Sequence, residues 1–191
     1  MLQTVERSAR LGYDDLVRLF PSDDGLRHEL IDGVHIVSPA PGIRHQRLVR
    51  RLASAFDRYL ESHPGRGEFF AVPVDVVFTL YDVVEPDVVF IAAGQSHIVT
   101  ERNVRGAPAI VVEVFSPGTT RRDRTLKRKL FEREGVGEYW MVDPVANTVE
   151  VLRRRADGSL PRVAVLTARN QDRLTTPLLP GLSIDLARLF E

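Results

Sequence analysis

The chain has 191 residues, 43% of them hydrophobic and 27% charged, which suffices for one domain with a real core and suits an ordinary globular protein. Its 26 basic and 26 acidic side chains cancel, so net charge excludes no class of partner, whereas the absence of cysteine excludes a disulfide scaffold, thiolate catalysis and a cysteine-based zinc site. The opening MLQTVERSARLGYDDLVRLF is charged throughout and no run approaches the ~20 apolar residues of a membrane span, so neither a signal peptide nor a membrane segment is expected and the cytoplasm is the expected location.

In chain order, YDDLVRLF at 13–20 predicts a short amphipathic helix, with Asp14 and Asp15 favouring its N-terminal end. RHELIDGVHIV at 27–37 predicts a hairpin turning at Asp32-Gly33. From Arg44 to about His63, Leu48, Leu52, Ala55, Phe56, Tyr59 and Leu60 recur at helical spacing, and Pro64-Gly65 ends that helix. GEFFAVPVDVVF, VVEPDVVFI and PAIVVEVF predict three strands, the last apolar enough to be central and covered on both faces. A crossover helix is expected over 124–134, closed near Gly135, followed by strands EYWMVD and TVEVLRRR. Extended segments near 161–166 and 173–176 and a helical turn at 186–190 complete the chain. The expected fold is α/β with one mixed sheet flanked by helices in a single domain, its core at about 11–155 and further strands and a short helix in 156–191.

One residue interrupts the central strand. Strand parity puts Ala109, Val111, Glu113 and Phe115 on one face, so Glu113 is a carboxylate in the body of a strand that should be buried. Such a group needs a cation, a basic side chain or hydrogen-bond donors. It is either a metal ligand or the partner of an arginine. Asp87, in EPDVVF, is either a cap or turn residue or a second ligand that converges with Glu113 if the two strands pair. In the second case Mg²⁺, or Mn²⁺, suits the hard oxygens, with the Val114 carbonyl as a third donor. Glu29, in HELIDG, reads either as a surface strand residue or as a third acid of the site.

The basic residues cluster downstream. Arg121, Arg122, Arg124, Lys127, Arg128, Lys129 and Arg133 face only Asp123 and Glu132 across 121–133, which is either a solvated helix face or an anion-facing patch. Lys127 shares a helix face with Phe131 and is expected to turn inward, where its ammonium could orient a water or offset charge on a phosphoryl oxygen. Lys129 lies on the far side of the wheel and is expected at the surface. Trp140 reads as core, Tyr139 as half-exposed, and His63 and His97 as surface residues. There is no phosphate loop, dinucleotide fingerprint, serine elbow or zinc-spaced histidine pair.

Taken together, HELIDG, EPDVVF, IVVEVFSPGTTRRDRTLK and GVGEYWMVDP resemble the Uma-type family of restriction endonucleases, a bacterial branch of the PD-(D/E)XK nuclease superfamily. The resemblance runs over about Leu11 to Arg155 and extends to the whole chain. It implies a restriction-endonuclease-like fold and metal-dependent hydrolysis of phosphodiester bonds in nucleic acid, with DNA the expected substrate. Asp87 matches the Asp of the PD motif, Glu113 the central acid, Glu29 the acid of the leading hairpin, and His45 an accessory residue at the start of the long helix. The superfamily's lysine, two residues beyond the Glu, is replaced here by Phe115. The resemblance moves that role to Lys127, after Asp123, with Lys129 as the fallback. Arg121, Arg122 and Arg124 would contact backbone phosphates without reading sequence. A homodimer is implied, because one such centre cuts one strand.

Two other classes of function stay open at this level. One is a weak or inactive nuclease-fold module that binds nucleic acid or regulates. The other is a structural component in which Glu113 only pairs with an arginine. Geometry decides between them and the nuclease. The two acids must meet, and an arginine filling the gap between them would leave the fold assignment standing alone.

Overall fold

The computed structural model describes residues 10–20, 24–71, 73–116 and 123–191. Helix α1 (Tyr13–Leu19) leads into the hairpin β1 (Leu26–Ile31) and β2 (Val34–Pro39). Its turn holds Asp32 and Gly33 at φ 53° and 75°, the left-handed pair that a two-residue hairpin requires and that Asp-Gly supplies. Helix α2 (Ile43–Ser62) buries Leu48, Leu52, Phe56 and Tyr59 along one stripe, as their spacing predicts.

The expected strands 67–78 and 83–91 each split in two. The first becomes β3 (Gly67–Phe70) and β4 (Val76–Thr79); the second becomes β5 (Asp82–Val84) and β6 (Val88–Ala92). Pro73 and Pro86 stand in the two breaks, where the missing N–H would interrupt a ladder. The halves join different sheets, so the expectation of one sheet is corrected. With β7 (Val104–Arg105), a five-stranded sheet runs β2-β1-β5-β4-β7. The central sheet, β11-β10-β9-β8-β6-β3, adds β8 (Ile110–Val114), β9 (Glu138–Asp143), β10 (Thr148–Arg153) and β11 (Arg162–Thr167). It is mixed, because β8 and β9 are parallel while its other pairs are antiparallel.

The parallel pair needs a crossover, and the chain supplies it through a π-helical turn at Asp123–Lys127 that continues as α3 (Arg128–Glu134). Gly135, at φ 96°, ends α3 in the left-handed conformation open to glycine. A short hairpin, β12 (Arg173–Thr175) with β13 (Ser183–Asp185), and helix α4 (Leu186–Phe190) close the chain.

Both faces of the central sheet are covered, which explains the continuous apolar run of β8. One face packs Val88, Phe90, Val112 and Trp140 under α2 and the C-terminal hairpin. The other packs Val89, Val111, Tyr139 and Met141 against the second sheet and α3. Tyr139 is fully buried rather than half-exposed, since parity turns it onto this covered face. Among the described residues, no helix is long and apolar enough to cross a membrane.

Candidate active site

The register of β6 on β8 pairs Val88 with Val112, which sets Asp87 opposite Glu113 one step further on. Directly opposed residues of an antiparallel pair share a face, so the two carboxylates meet at the end of the sheet. Asp87 does more than face its neighbour. Its Oδ2 accepts the Val114 amide at 2.7 Å and so caps the end of β8. The same oxygen lies 2.9 Å from His45 Nε2, on the first turn of α2.

Lys127 arrives from the π-helical turn. Its Nζ donates to Glu113 Oε1 at 2.7 Å and to Glu29 Oε1 at 2.8 Å, with all three side chains buried. Glu29 Oε1 also accepts the Glu85 amide at 2.9 Å, which ties β1 to the segment before Asp87. Five expected residues, Asp87, Glu113, Glu29, His45 and Lys127, thus converge from five segments. Lys129 points to solvent, as its place on the wheel predicts.

Two participants were not anticipated. Arg27 donates to Asp87 Oδ1 at 2.8 Å and stands 3.9 Å from Glu113 Oε2. Glu85, half-buried, lies beside Asp87 at the edge of the cleft. Parity carried a signal for Arg27, since it lies two residues before Glu29 in β1 and therefore on the same face. The geometric expectation is met in its first part, because the acids do meet. It fails in its second, because an arginine stands between them.

Three wholly buried acids, Glu29, Asp87 and Glu113, with Glu85 at the edge, confront two fixed cations, Arg27 and Lys127. Burial pushes Glu113 up to about 8 despite Lys127, and Asp87 and Glu29 add to the rise. Burial likewise pushes Glu85 to about 7, with Asp75 and Glu29 outweighing Arg27. Asp87 goes the other way. Its burial is outweighed by the His45 hydrogen bond and the Arg27 charge, which hold it below the usual carboxylate range. The ring of His45 is buried, and its Nδ1 has no hydrogen-bond partner among the described residues.

Among the described residues, no three His, Asp or Glu side chains are grouped so as to hold a metal ion. In donor type and charge the cluster nevertheless fits a hard divalent cation: its acids outnumber its bases, and its ligand atoms are oxygens. The place between Asp87 and Glu113 is taken by Arg27. A cleft of about 790 Å³ opens onto Arg27, His45, Glu85 and Asp87, and Tyr13 and Arg102 also line it.

The expected phosphate-contacting arginines fare differently. Arg121 and Arg122 lie outside the described residues. Arg124 is already committed: its Nη1 is 2.6 Å from Glu150, its Nη2 is 3.5 Å from Asp143, and its guanidinium lies over the Phe115 ring. Phe115 fills the slot of the superfamily's lysine as a buried core residue.

The mixed central sheet flanked by helices is that of the PD-(D/E)XK-like nuclease superfamily. Within it, residues 13–187 match the Uma2 family, described as "Putative restriction endonuclease", and the chain belongs to that family. A solved structure from Anabaena variabilis ATCC 29413, described as a putative nuclease belonging to DUF820, superposes with a TM-score of 0.76 over 94% of this chain and 97% of that one. At 19% identity the likeness bears on the fold alone. No curated protein matches the chain.

Proposed function

We propose that the chain is a divalent-metal-dependent endonuclease that hydrolyses phosphodiester bonds in DNA. Asp87, Glu113 and Lys127 stand at the reacting centre, with Glu29 and His45 beside it. One observation carries this reading. Lys127, delivered by the crossover after β8, sets its ammonium 2.7 Å from Glu113, while Asp87 faces Glu113 from the next strand. Acid, acid and lysine come together although the lysine is absent from its usual place in the strand.

Asp87 and Glu113, with the Val114 carbonyl, would hold Mg²⁺ or Mn²⁺, which when bound polarises a phosphodiester oxygen and acidifies a water. His45 fixes the orientation of Asp87 through Nε2. Lys127 orients the attacking water and offsets negative charge gathering on the phosphoryl group. Arg27 fills the gap that the nuclease reading needs open, so this reading requires it to be a displaceable counter-charge of the resting cluster. Its side chain is 23% exposed, so it can withdraw into the cleft and pair with an incoming phosphate. Cutting both strands of a duplex calls for two such centres, so the proposal includes a homodimer, acting in the cytoplasm.

Arg27 also favours a second reading, a nuclease-fold module that binds nucleic acid without cutting it, since the arginine satisfies both acids without a metal. Cleavage of circular single- and double-stranded DNA in Mg²⁺ or Mn²⁺, together with calorimetric Mn²⁺ titration, separates the two. The nuclease reading expects Asp87→Ala and Glu113→Gln each to slow cleavage at least about a hundredfold. It also expects both variants to weaken Mn²⁺ binding. A wild-type chain that neither cuts nor binds Mn²⁺ better than Asp87→Ala hands the site to the second reading.

A further inference from the structure

A second concentration of positive charge is on the outer face of α2. Arg44, Arg47, Arg50, Arg51 and Arg58 share one stripe of the helix, and no acidic residue appears before Asp57. The stripe opens into two adjoining grooves. One, of about 480 Å³, is walled by Arg50, Arg51 and Arg58 of α2 and by Arg173 and Arg188 of the C-terminal hairpin and α4, against the single acid Asp185. The other, of about 410 Å³, holds Arg44 and Arg47, shares Arg51, and has Glu191 as its one acid.

Three of these side chains are fixed in place. Arg51 donates to the Leu189 carbonyl at 2.8 Å, Arg44 to Asn147 at 2.8 Å, and Arg173 to Ser183 at 2.7 Å. Arg173 also lies 3.4 Å from Asp185. Among the described residues, the guanidiniums of Arg47, Arg50, Arg58 and Arg188 reach no carboxylate. Like charges three and four residues apart on a helix repel by a few tenths of a kcal/mol per pair. A chain of zero net charge that concentrates arginine in this way has a surface suited to a polyanion.

We infer that this trough binds the sugar-phosphate backbone of a nucleic acid and leads it to the candidate active site, an inference that takes its choice of ligand from the nuclease reading. Three features favour nucleic acid over an anionic membrane or an acidic protein. The surface is a trough whose length, from Arg44 to Arg58, is about 21 Å at ~1.5 Å per residue, room for about six phosphates of one strand at ~3.4 Å each. Its cations are all arginine, whose planar fork grips a phosphate with two parallel hydrogen bonds. The helix that carries it begins at the cluster: His45, on its first turn, bonds Asp87, and Arg44 and Arg47 flank His45 on the outer side.

The test is fluorescence anisotropy with a labelled 20-nucleotide strand and its duplex, in EDTA so that nothing is cut. For Arg47→Gln/Arg50→Gln/Arg58→Gln we expect at least a tenfold loss of affinity. We also expect a fall of about two to three in the slope of log K against log salt, since each phosphate contact contributes ~0.7 to 0.9. Arg121→Gln/Arg122→Gln should change both less, and Lys129→Gln not at all. Unchanged affinity and slope in the triple variant, with its melting temperature intact, overturn the inference. So does binding to phosphatidylserine vesicles in preference to the oligonucleotides. If the wild type shows this arginine-dependent binding and never cuts in Mn²⁺, the nuclease reading fails and the trough stands. If the wild type cuts and the triple variant cuts with unchanged KM, the trough fails alone.

Discussion

The central sheet buries a carboxylate near each end of the parallel pair β8–β9, and the two are treated in opposite ways. Glu138 opens β9 opposite Ile110, while Glu113 nears the end of β8 opposite Met141, three residues or about 10 Å further along. Glu138 is closed off. Its Oε1 accepts from Arg153 at 2.6 Å and from Thr176 at 2.8 Å, and its Oε2 accepts from the Trp140 indole at 2.7 Å. One acid meets one cation and two neutral donors, so nothing remains for a ligand to do. At the Glu113 end three wholly buried acids and a fourth at the edge share two cations. Both glutamates are buried in the same sheet, so burial does not mark the site. The imbalance between acids and donors does.

The contrast is broken most directly by removing each carboxylate. Glu138→Ala leaves the buried Trp140 N–H and Thr176 hydroxyl without their acceptor and is expected to cost about 2 to 4 kcal/mol by urea denaturation. Glu113→Gln leaves Lys127 on Glu29 and replaces a carboxyl already forced toward its neutral form. It should shift stability by less than about 1 kcal/mol while abolishing metal-dependent cleavage. Equal losses in the two variants would mean that Glu113 is as structural as Glu138.

The difference between the two ends was only partly legible in the sequence. Parity placed Glu113 in a buried strand and turned Lys127 inward, because both inferences need only local periodicity. Glu29, a plain surface candidate by pattern, gained weight only from the family resemblance. The split of the expected strands at Pro73 and Pro86 was written in the chain, yet alternating valines on both sides outweighed the prolines. Arg27 shares a strand face with Glu29, but that parity does not say what the face meets; its contact with Asp87, sixty residues away, is a tertiary fact. The arginine stripe of α2 is present in the letters, where it reads as the ordinary solvated face of an amphipathic helix. Its concavity needs Arg173 and Arg188, more than a hundred residues away.

A gentler way to sharpen the contrast is to remove a cation rather than an acid. Arg27→Gln leaves Lys127 alone against Glu29, Asp87 and Glu113 and should lower stability in EDTA by about 1 to 3 kcal/mol. Because Arg27 occupies the place an ion would take, Mn²⁺ should restore the melting temperature of this variant and bind it more tightly than the wild type. At the other end, Arg153→Gln should lose stability that no divalent ion returns. If Mn²⁺ leaves both variants equally unrepaired, the surplus of acid at the Glu113 end does not call for a cation.

The smallest expected effect is the most specific to the imbalance. Glu85 has its carboxyl raised from 4.5 to about 7, by burial first and then by Asp75 and Glu29. Between those two values the folded chain holds a proton that the unfolded chain has released, so stability falls as pH rises through this window. Above about 7 the residue is ionised in both states and its contribution is flat. Asp87, held below its usual range, acts in the opposite sense and only in acid, where its contribution is lost as pH falls below 3.8. The two windows do not overlap. Glu85 is partly open to solvent, which screens it, so its share should be under about 1 kcal/mol. Subtracting the stability profile of Glu85→Gln from that of the wild type isolates it, as a slope confined to pH 4.5–7. Saturating Mn²⁺ should reduce that slope, because an added positive charge favours the ionised carboxylate. A flat difference profile would remove Glu85 from the cluster and leave three acids facing two cations.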